Sequence, residues 1–409
     1  MARSFVDRFQ RLLWIPTAAF IAFLSFTSNA KVPTLAAPTF PALTAFASAQ
    51  ANPVAVESLS LGPSVTYTVT VYLPAVMRSP STSRQSPIYW GALVAGQAPS
   101  TDNMQAGGVF DSFEATAQKK MAIIHWGQSW QMSGSYQGFY APWFDKVRAH
   151  GSIPLIDWAS RRLEGGVSQP DLQLSTIYNG VHDDYIRQWA LDAKAWGHPF
   201  FLRFDWEMNG DWQFPWSEQL NGNQPGDYIK AWRHVHDIFS QVGATNATWV
   251  WCPNISSGTT RPMSSLYPGD DYVDWTCLDG YNKESQWLDP YSVFTGSETD
   301  WLYDSYTEIL KVAPTKPIMV GETASIEARD GGAKKAAWIA DFLTSHLPKD
   351  FPKIKAIVWF NWDDDNPAYT FPIESSRPSQ SAFAAAIGSS YYAANDFANF
   401  DISPIPPLP

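Results

Sequence analysis

Two glutamates stand out by what surrounds them. Glu207 sits in FLRFDWEMNGDWQFPW (201–216), at the end of an apolar run and amid aromatics. Glu322 sits in PIMVGETAS (317–325), again where an apolar run gives way to polar residues. A carboxylate is seldom placed among apolar residues unless it is paired or hydrogen-bonded. Either glutamate alone reads equally well as one half of a structural ion pair. Two, at matching ends of two strand-like runs, point to chemistry that needs opposed carboxyl groups. Glycosidic bond cleavage is that chemistry: one carboxyl keeps its proton for the leaving oxygen, and the other stays ionised to attack the sugar or stabilise its cation.

Something must hold these two groups face to face. Short apolar, β-branched or aromatic runs recur at 88–95, 121–130, 153–160, 200–207, 247–254, 273–282, 317–325 and 355–363. Segments with helical spacing lie between most of them, such as 183–197 and 227–243, the second closing on Gly243. Eight strands alternating with helices predict parallel βαβ units closed into a (β/α)8 barrel, an α/β fold whose working residues stand at the carboxyl ends of the strands. A doubly wound open sheet is the competitor, but no run is followed by GxGxxG. Alternation along the fourth run puts Arg203, Asp205 and Glu207 on one face. This predicts an inward Arg203–Asp205 ion pair beneath Glu207.

The bulk composition narrows the partners. The 409 residues carry a formal charge of -11, which excludes nucleic acid and anionic membrane surfaces as partners. Hydrophobic residues make up 45% and charged residues 16%, so most of the chain must bury a core. The 20 tryptophans are the oddity; flat rings with a polar edge suit both a core and the apolar faces of sugars. Residues 1–30 have a basic start (Arg3, Arg8, Arg11), an apolar stretch and small residues at Ser28–Ala30, and read as a signal peptide. An uncleaved anchor is the alternative; Pro16 and the shortness of the stretch favour export, with the protein secreted or tethered at the cell surface. Residues 31–87 read as an Ala/Pro/Ser/Thr-rich linker or appendage, with one strand-like stretch at 64–76 that lacks an evident partner. The catalytic unit is expected at 88–395 and a Pro-rich tail at 396–409, in a monomer. Cys252 and Cys277 are either one bridge or two buried thiols.

No metal or other cofactor is expected. His234 and His236 are two apart in a predicted helix and face different ways. The acidic loop from Asp363 to Asn366 reads as a solvated or sugar-binding rim ahead of a calcium site. There is no phosphate-cradling loop, CxxC spacing or GxSxG elbow.

The segments RFDWEMNGDWQFPW, DGYN (279–282) and PIMVGETAS together resemble glycoside hydrolase family 26, over roughly residues 89–385. The resemblance implies a barrel glycosidase acting by retaining double displacement, with Glu207 as acid/base and Glu322 as nucleophile. It also implies a polysaccharide substrate, cut internally: β-1,4-mannan foremost, with mixed-linkage β-glucan or β-1,3-xylan as alternatives. A non-catalytic polysaccharide-binding barrel is the rival from another class. By the same resemblance Tyr281 would hydrogen-bond the nucleophile and Trp212 would line the subsites beside the scissile bond. Trp216 either extends that wall or pins the loop at Pro215. Trp359 would be the platform under the reacting sugar, with Trp362 as competitor on the other face of the strand. His125 is either a partner for a sugar hydroxyl or a core histidine. One position departs from the family: His usually precedes the acid/base, and here it is Trp206. Imidazole donates and accepts hydrogen bonds, whereas indole only donates from one N–H. That departure bears on mannan specificity more than on cleavage.

Overall fold

The computed structural model describes residues 55–60, 66–71, 86–210, 214–283, 287–297, 301–364, 366 and 368–409. The chain divides into two compact units, Met1–Ser83 and Arg84–Pro409. The expected signal peptide lies outside the described residues. In the first unit the strand expected to stand alone has a partner: Thr66–Val71 pairs antiparallel with Ala55–Ser60. The sequence reading missed this pairing because AVESLS holds few of the bulky residues that mark a strand.

The second unit is built on eight parallel strands: β1 (Tyr89–Val94), β2 (Ile123–Met132), β3 (Ile153–Arg162), β4 (Phe200–Phe204), β5 (Ala247–Trp251), β6 (Trp275–Asn282), β7 (Ile318–Ser325) and β8 (Ile354–Asn361). Each pairs with its neighbour in sequence, and β1 pairs with both β8 and β2, so the sheet closes into a barrel. β1, β4, β5 and β7 are buried along their whole length because helices cover the outside and side chains fill the inside. Among the covering helices, Asp183–Trp196 and Asp227–Val242 end at Gly197 and Gly243, both with positive φ, as their sequences predict. Cys252, just past β5, and Cys277, on β6, are joined in a disulfide. No helix among the described residues is long and apolar enough to cross a membrane.

The Pro-rich C-terminal segment is not a loose tail. Ile405 is buried, its carbonyl accepts from Trp275 Nε1 at 2.7 Å and its N–H donates to Thr248 Oγ1 at 2.9 Å. Tyr89 Oη donates to the Pro406 carbonyl at 2.9 Å. These partners stand at or near the amino ends of β1, β5 and β6, so the segment covers the barrel's lower opening, opposite the ends that hold the glutamates.

Candidate active site

Two local departures from regular strand bring the glutamates together. β4 stops at Phe204, and both Asp205 (φ 43°) and Glu207 (φ 51°) take left-handed backbone conformations. Such geometry is uncommon for non-glycine residues and persists only where neighbours over-determine it. The neighbours are evident. Glu207 N–H donates to the Cys252 carbonyl at 2.7 Å, and Tyr228 Oη donates to the Asp205 carbonyl at 3.2 Å. Asn209, from the Glu-Met-Asn-Gly turn, exchanges two 2.8 Å bonds with the backbone of Asn254. Asn254 then donates its side-chain amide to Glu207 Oε1 at 2.7 Å.

On β7 the pairing register against β6 shifts between Val320 and Glu322, a bulge that re-aims the side chain after it. Gly321 stands at that bulge. A Cβ on it would lie 2.4 Å from Cys277 Sγ and 2.7 Å from an Arg203 nitrogen, so only glycine fits. Glu322 accepts hydrogen bonds from Tyr281 Oη on one oxygen and from Arg203 Nη2 on the other. One carboxylate oxygen each of Glu207, Glu322 and Asp279 lie within 4.8 Å of one another.

Beneath the pair is a dense charge cluster. Arg203 bonds Asp157 through Nε at 2.6 Å and Nη2 at 3.0 Å, and meets both oxygens of Asp279 at 3.0 Å. The expected Arg203–Asp205 pair does not form. Because Asp205 leaves the strand conformation, its carboxylate swings to β3, where it accepts from Ser160 N–H at 2.7 Å and Ser160 Oγ at 2.6 Å. Arg203 is the positive centre around which Asp157, Asp279 and Glu322 are arranged.

Electrostatics then separate the roles. Burial first, and the charge of Glu322 second, push Glu207 up to about 7, against the opposing pull of Lys283, Asn254 and Arg203. Burial first, joined by the charges of Glu322, Glu207 and Asp157, raises Asp279 well above the ordinary carboxylate range against the opposing pull of Arg203. Burial also works against ionised Asp157, but Arg203 and His125 outweigh it and hold that carboxyl low.

A cleft of about 880 Å³ opens above the pair. Glu207, Glu322, Tyr281 and Trp206 line it, together with Arg161, Lys283, Phe360 and Trp362, which sequence reasoning had either passed over or placed second. Three expected residues are elsewhere. Trp359 faces the helices, 5.2 Å from the ring of Phe383 and 6.3 Å from that of Trp338, because alternation along β8 turns Phe360 inward and Trp359 out. Trp362, two positions beyond Phe360, takes the cleft-facing place.

Trp216 is fully buried behind the wall. It stacks on Phe214 at 4.5 Å and donates Nε1 to the Trp206 carbonyl at 2.7 Å, so it pins the loop. His125 is buried under the site with Nε2 2.9 Å from Asp157 Oδ1, and does not line the cleft. Trp212 lies outside the described residues. His234 and His236 face different ways on their helix: His234 meets Asp183 at 2.6 Å while His236 packs on Trp249.

Comparison with known proteins bears on the family and the fold. A model of glycosyl hydrolase family 26 matches residues 175–302. The chain is 35% identical to Endoglucanase H of Acetivibrio thermocellus over 291 residues, which is 68% of this chain and 28% of that protein. It is 27% identical to mannan endo-1,4-beta-mannosidase A and B of Caldalkalibacillus mannanilyticus over 163 residues, 39% of this chain and 26% of that one. The chain thus spans about a quarter of the length of these relatives. A solved modular endo-β-1,4-mannanase of Cellulomonas fimi superposes with TM-score 0.56 at 16% identity, covering 79% of this chain and 76% of that one. At that identity the likeness speaks for the fold, a (β/α)8 barrel.

Proposed function

The chain belongs to glycosyl hydrolase family 26, and from that premise we propose that it is an exported, retaining endo-glycosidase of β-1,4-linked polysaccharides. The observation behind this reading is the separation of Glu207 and Glu322, whose nearest oxygens lie within 4.8 Å across one cleft. Retaining enzymes hold their two carboxyl groups about 5–5.5 Å apart, whereas inverting ones leave about 6.5–9.5 Å for a water. Glu322, oriented by Tyr281 and Arg203, attacks the anomeric carbon and forms a glycosyl ester. The bond to the leaving sugar breaks as Glu207 gives its proton to the departing oxygen. Glu207, now a carboxylate, takes a proton from water as that water attacks the same carbon, and Glu322 leaves. A value of about 7 for Glu207 suits a group that must hold and then retake a proton near neutrality.

For the sugar, mannan follows from the resemblance, and a relative named as a mannosidase supports it. A β-glucan is the reading that specific observations favour. Trp206 lines the cleft at the position where the family usually has His, which removes a donor–acceptor contact to a sugar hydroxyl. The relative at 35% identity is named an endoglucanase. Reducing-sugar release from mannan, galactomannan, barley β-glucan and β-1,3-xylan tests both, and Glu322→Ala should abolish release on whichever is cut. Unchanged turnover in that variant overturns the nucleophile assignment. Trp206→His should move preference toward mannan; an unmoved preference discards the specificity argument.

A further inference from the structure

Lys335, on the helix Ala333–Asp341, is fully buried. A lysine is almost never taken out of water unless its charge is met. Here oxygens of the chain meet it. Nζ donates to the carbonyls of Thr370 at 2.5 Å, Phe371 at 3.2 Å and Pro372 at 2.9 Å, and to Ser375 Oγ at 2.9 Å. Burial pushes the ammonium down to about 8 against the pull of Glu327 and Glu374, so the charge persists at pH 7. Three successive carbonyls aimed at one point repel one another, and without Lys335 they would be left without this donor. The ammonium is what gathers them into a turn.

The turn is also tied to its surroundings. Thr370 Oγ1 accepts from Glu327 N–H at 2.6 Å, and Ser375 Oγ donates to Glu327 Oε1 at 2.5 Å. Asn361, the last residue of β8, accepts from Ile373 N–H at 2.8 Å and donates to Glu374 Oε2 at 2.9 Å. What this turn presents to the cleft is Phe371. Its ring stacks on that of Tyr281 at 5.3 Å and 27°, and meets Phe360 edge-on at 6.0 Å. Phe360 in turn meets Tyr281 edge-on at 5.5 Å. Tyr281 is thus held between two phenylalanines while its hydroxyl donates to Glu322. Phe360 is placed by β8 itself, whereas Phe371 is placed by the turn around Lys335. Ring contacts of this kind fix direction, so where the phenol points depends on where Phe371 stands.

We propose that Lys335 is a positioning residue for hydrolysis. By gathering the carbonyls of residues 370–372 it holds Phe371 against Tyr281, and so keeps the phenol aimed at the nucleophile. Lys335 acts only through Tyr281, on the attack by Glu322, so the inference rests on the hydrolase reading.

The test is a double-mutant cycle on whichever polysaccharide of the panel is cut. Lys335→Met keeps the length of the side chain and removes the charge; Phe371→Leu leaves the carbonyl turn in place and removes the ring. Each should lower kcat about 10-fold while KM stays within about twofold, since the loss is in aim and not in binding. With Tyr281→Phe already present, the same substitutions should cost less than about twofold, because the hydroxyl they aim is gone. A change that merely loosened the fold would carry the same factor in both backgrounds. Should Lys335→Met not fold, Lys335→Gln, which keeps a shorter donor, takes its place in the cycle. Full kcat in the folded Lys335 variant, equal factors in both backgrounds, or a loss confined to KM overturns the proposal. An otherwise unaltered enzyme that releases no sugar from any polysaccharide overturns the hydrolase reading as well, whereas an active one with equal factors overturns the role of Lys335 alone.

Discussion

At the scale of single residues, the proton on Glu207 decides activity. The acid must be protonated when the leaving oxygen departs, and its value of about 7 is set by burial and by Glu322. Activity should therefore fall as pH rises through about 7. Asn254 favours the ionised form by donating to Oε1. Asn254→Ala should move this alkaline limb to higher pH, and a limb that stays put would show that another group sets it. Glu207→Ala should cost about 10²–10⁴-fold on polysaccharide and far less on aryl glycosides whose leaving groups need no proton. Equal losses on both substrates would remove the acid role. Tyr281→Phe takes a donor from Glu322; a hydrogen bond to a charged group is worth about 1.5–3 kcal/mol, so kcat should drop roughly 10- to 100-fold with the fold intact. The two glutamates were legible as candidates from residue type at a strand end, and Tyr281 only through the family resemblance; the structure places all three along one cleft. Trp359 and Trp216 were not legible, because indole serves core and cleft alike and only the facing direction tells them apart. Trp216 faces Phe214 and the Trp206 carbonyl, and Trp359 faces the helices.

At the scale of elements, the active site depends on where two strands stop being regular. A period of two, read along the fourth run, gave Arg203 an ion pair with Asp205, but the period ends at Phe204. Nothing in a run of aromatics announces that Asp205 and Glu207 will adopt positive φ; the cause is tertiary, in Cys252, Tyr228 and Ser160. The bulge at Gly321 is more nearly visible, as a glycine inside an apolar strand signals a bulge or a close approach. Gly321→Ala should abolish activity and lower stability, since its methyl meets Cys277, Arg203 and Asp279.

Asp205 offers a second check at this scale, through pH. Burial raises its carboxyl from 3.8 to about 8, against the opposing bonds of Ser160. Between those values the folded chain holds a proton that the unfolded chain releases, so this group makes stability fall as pH rises through that window. Asp205→Asn keeps an acceptor for Ser160 N–H and removes the titration. Its unfolding free energy relative to the parent should climb steadily from pH 5 to pH 8 and level off above. A difference independent of pH would mean that Asp205 does not titrate there.

At the scale of the whole molecule, the count of strand-like runs was enough to predict closure, because eight parallel strands with helices between them have few other solutions. The closure of the barrel's base was not predicted. SPIPPLP (403–409) has no helical or strand period, so pattern alone gives it no place. Its place comes from what the strands leave unsatisfied at their amino ends: the Trp275 indole, the Tyr89 and Thr248 hydroxyls and an apolar opening. Extended, proline-rich backbone meets that need, since its carbonyls are free of internal bonds and Ile405 fills the opening. Ile405→Ala should then cost about 2–3 kcal/mol, the worth of a buried isoleucine side chain, read by chemical denaturation. Removal of residues 402–409 should cost more, because Trp275 Nε1 is left buried without an acceptor. Neither change touches the carboxyl ends of the strands, so kcat at low temperature should hold while the midpoint of thermal unfolding drops. If the shortened chain unfolds at the same temperature as the full one, the segment rests on the barrel without closing it.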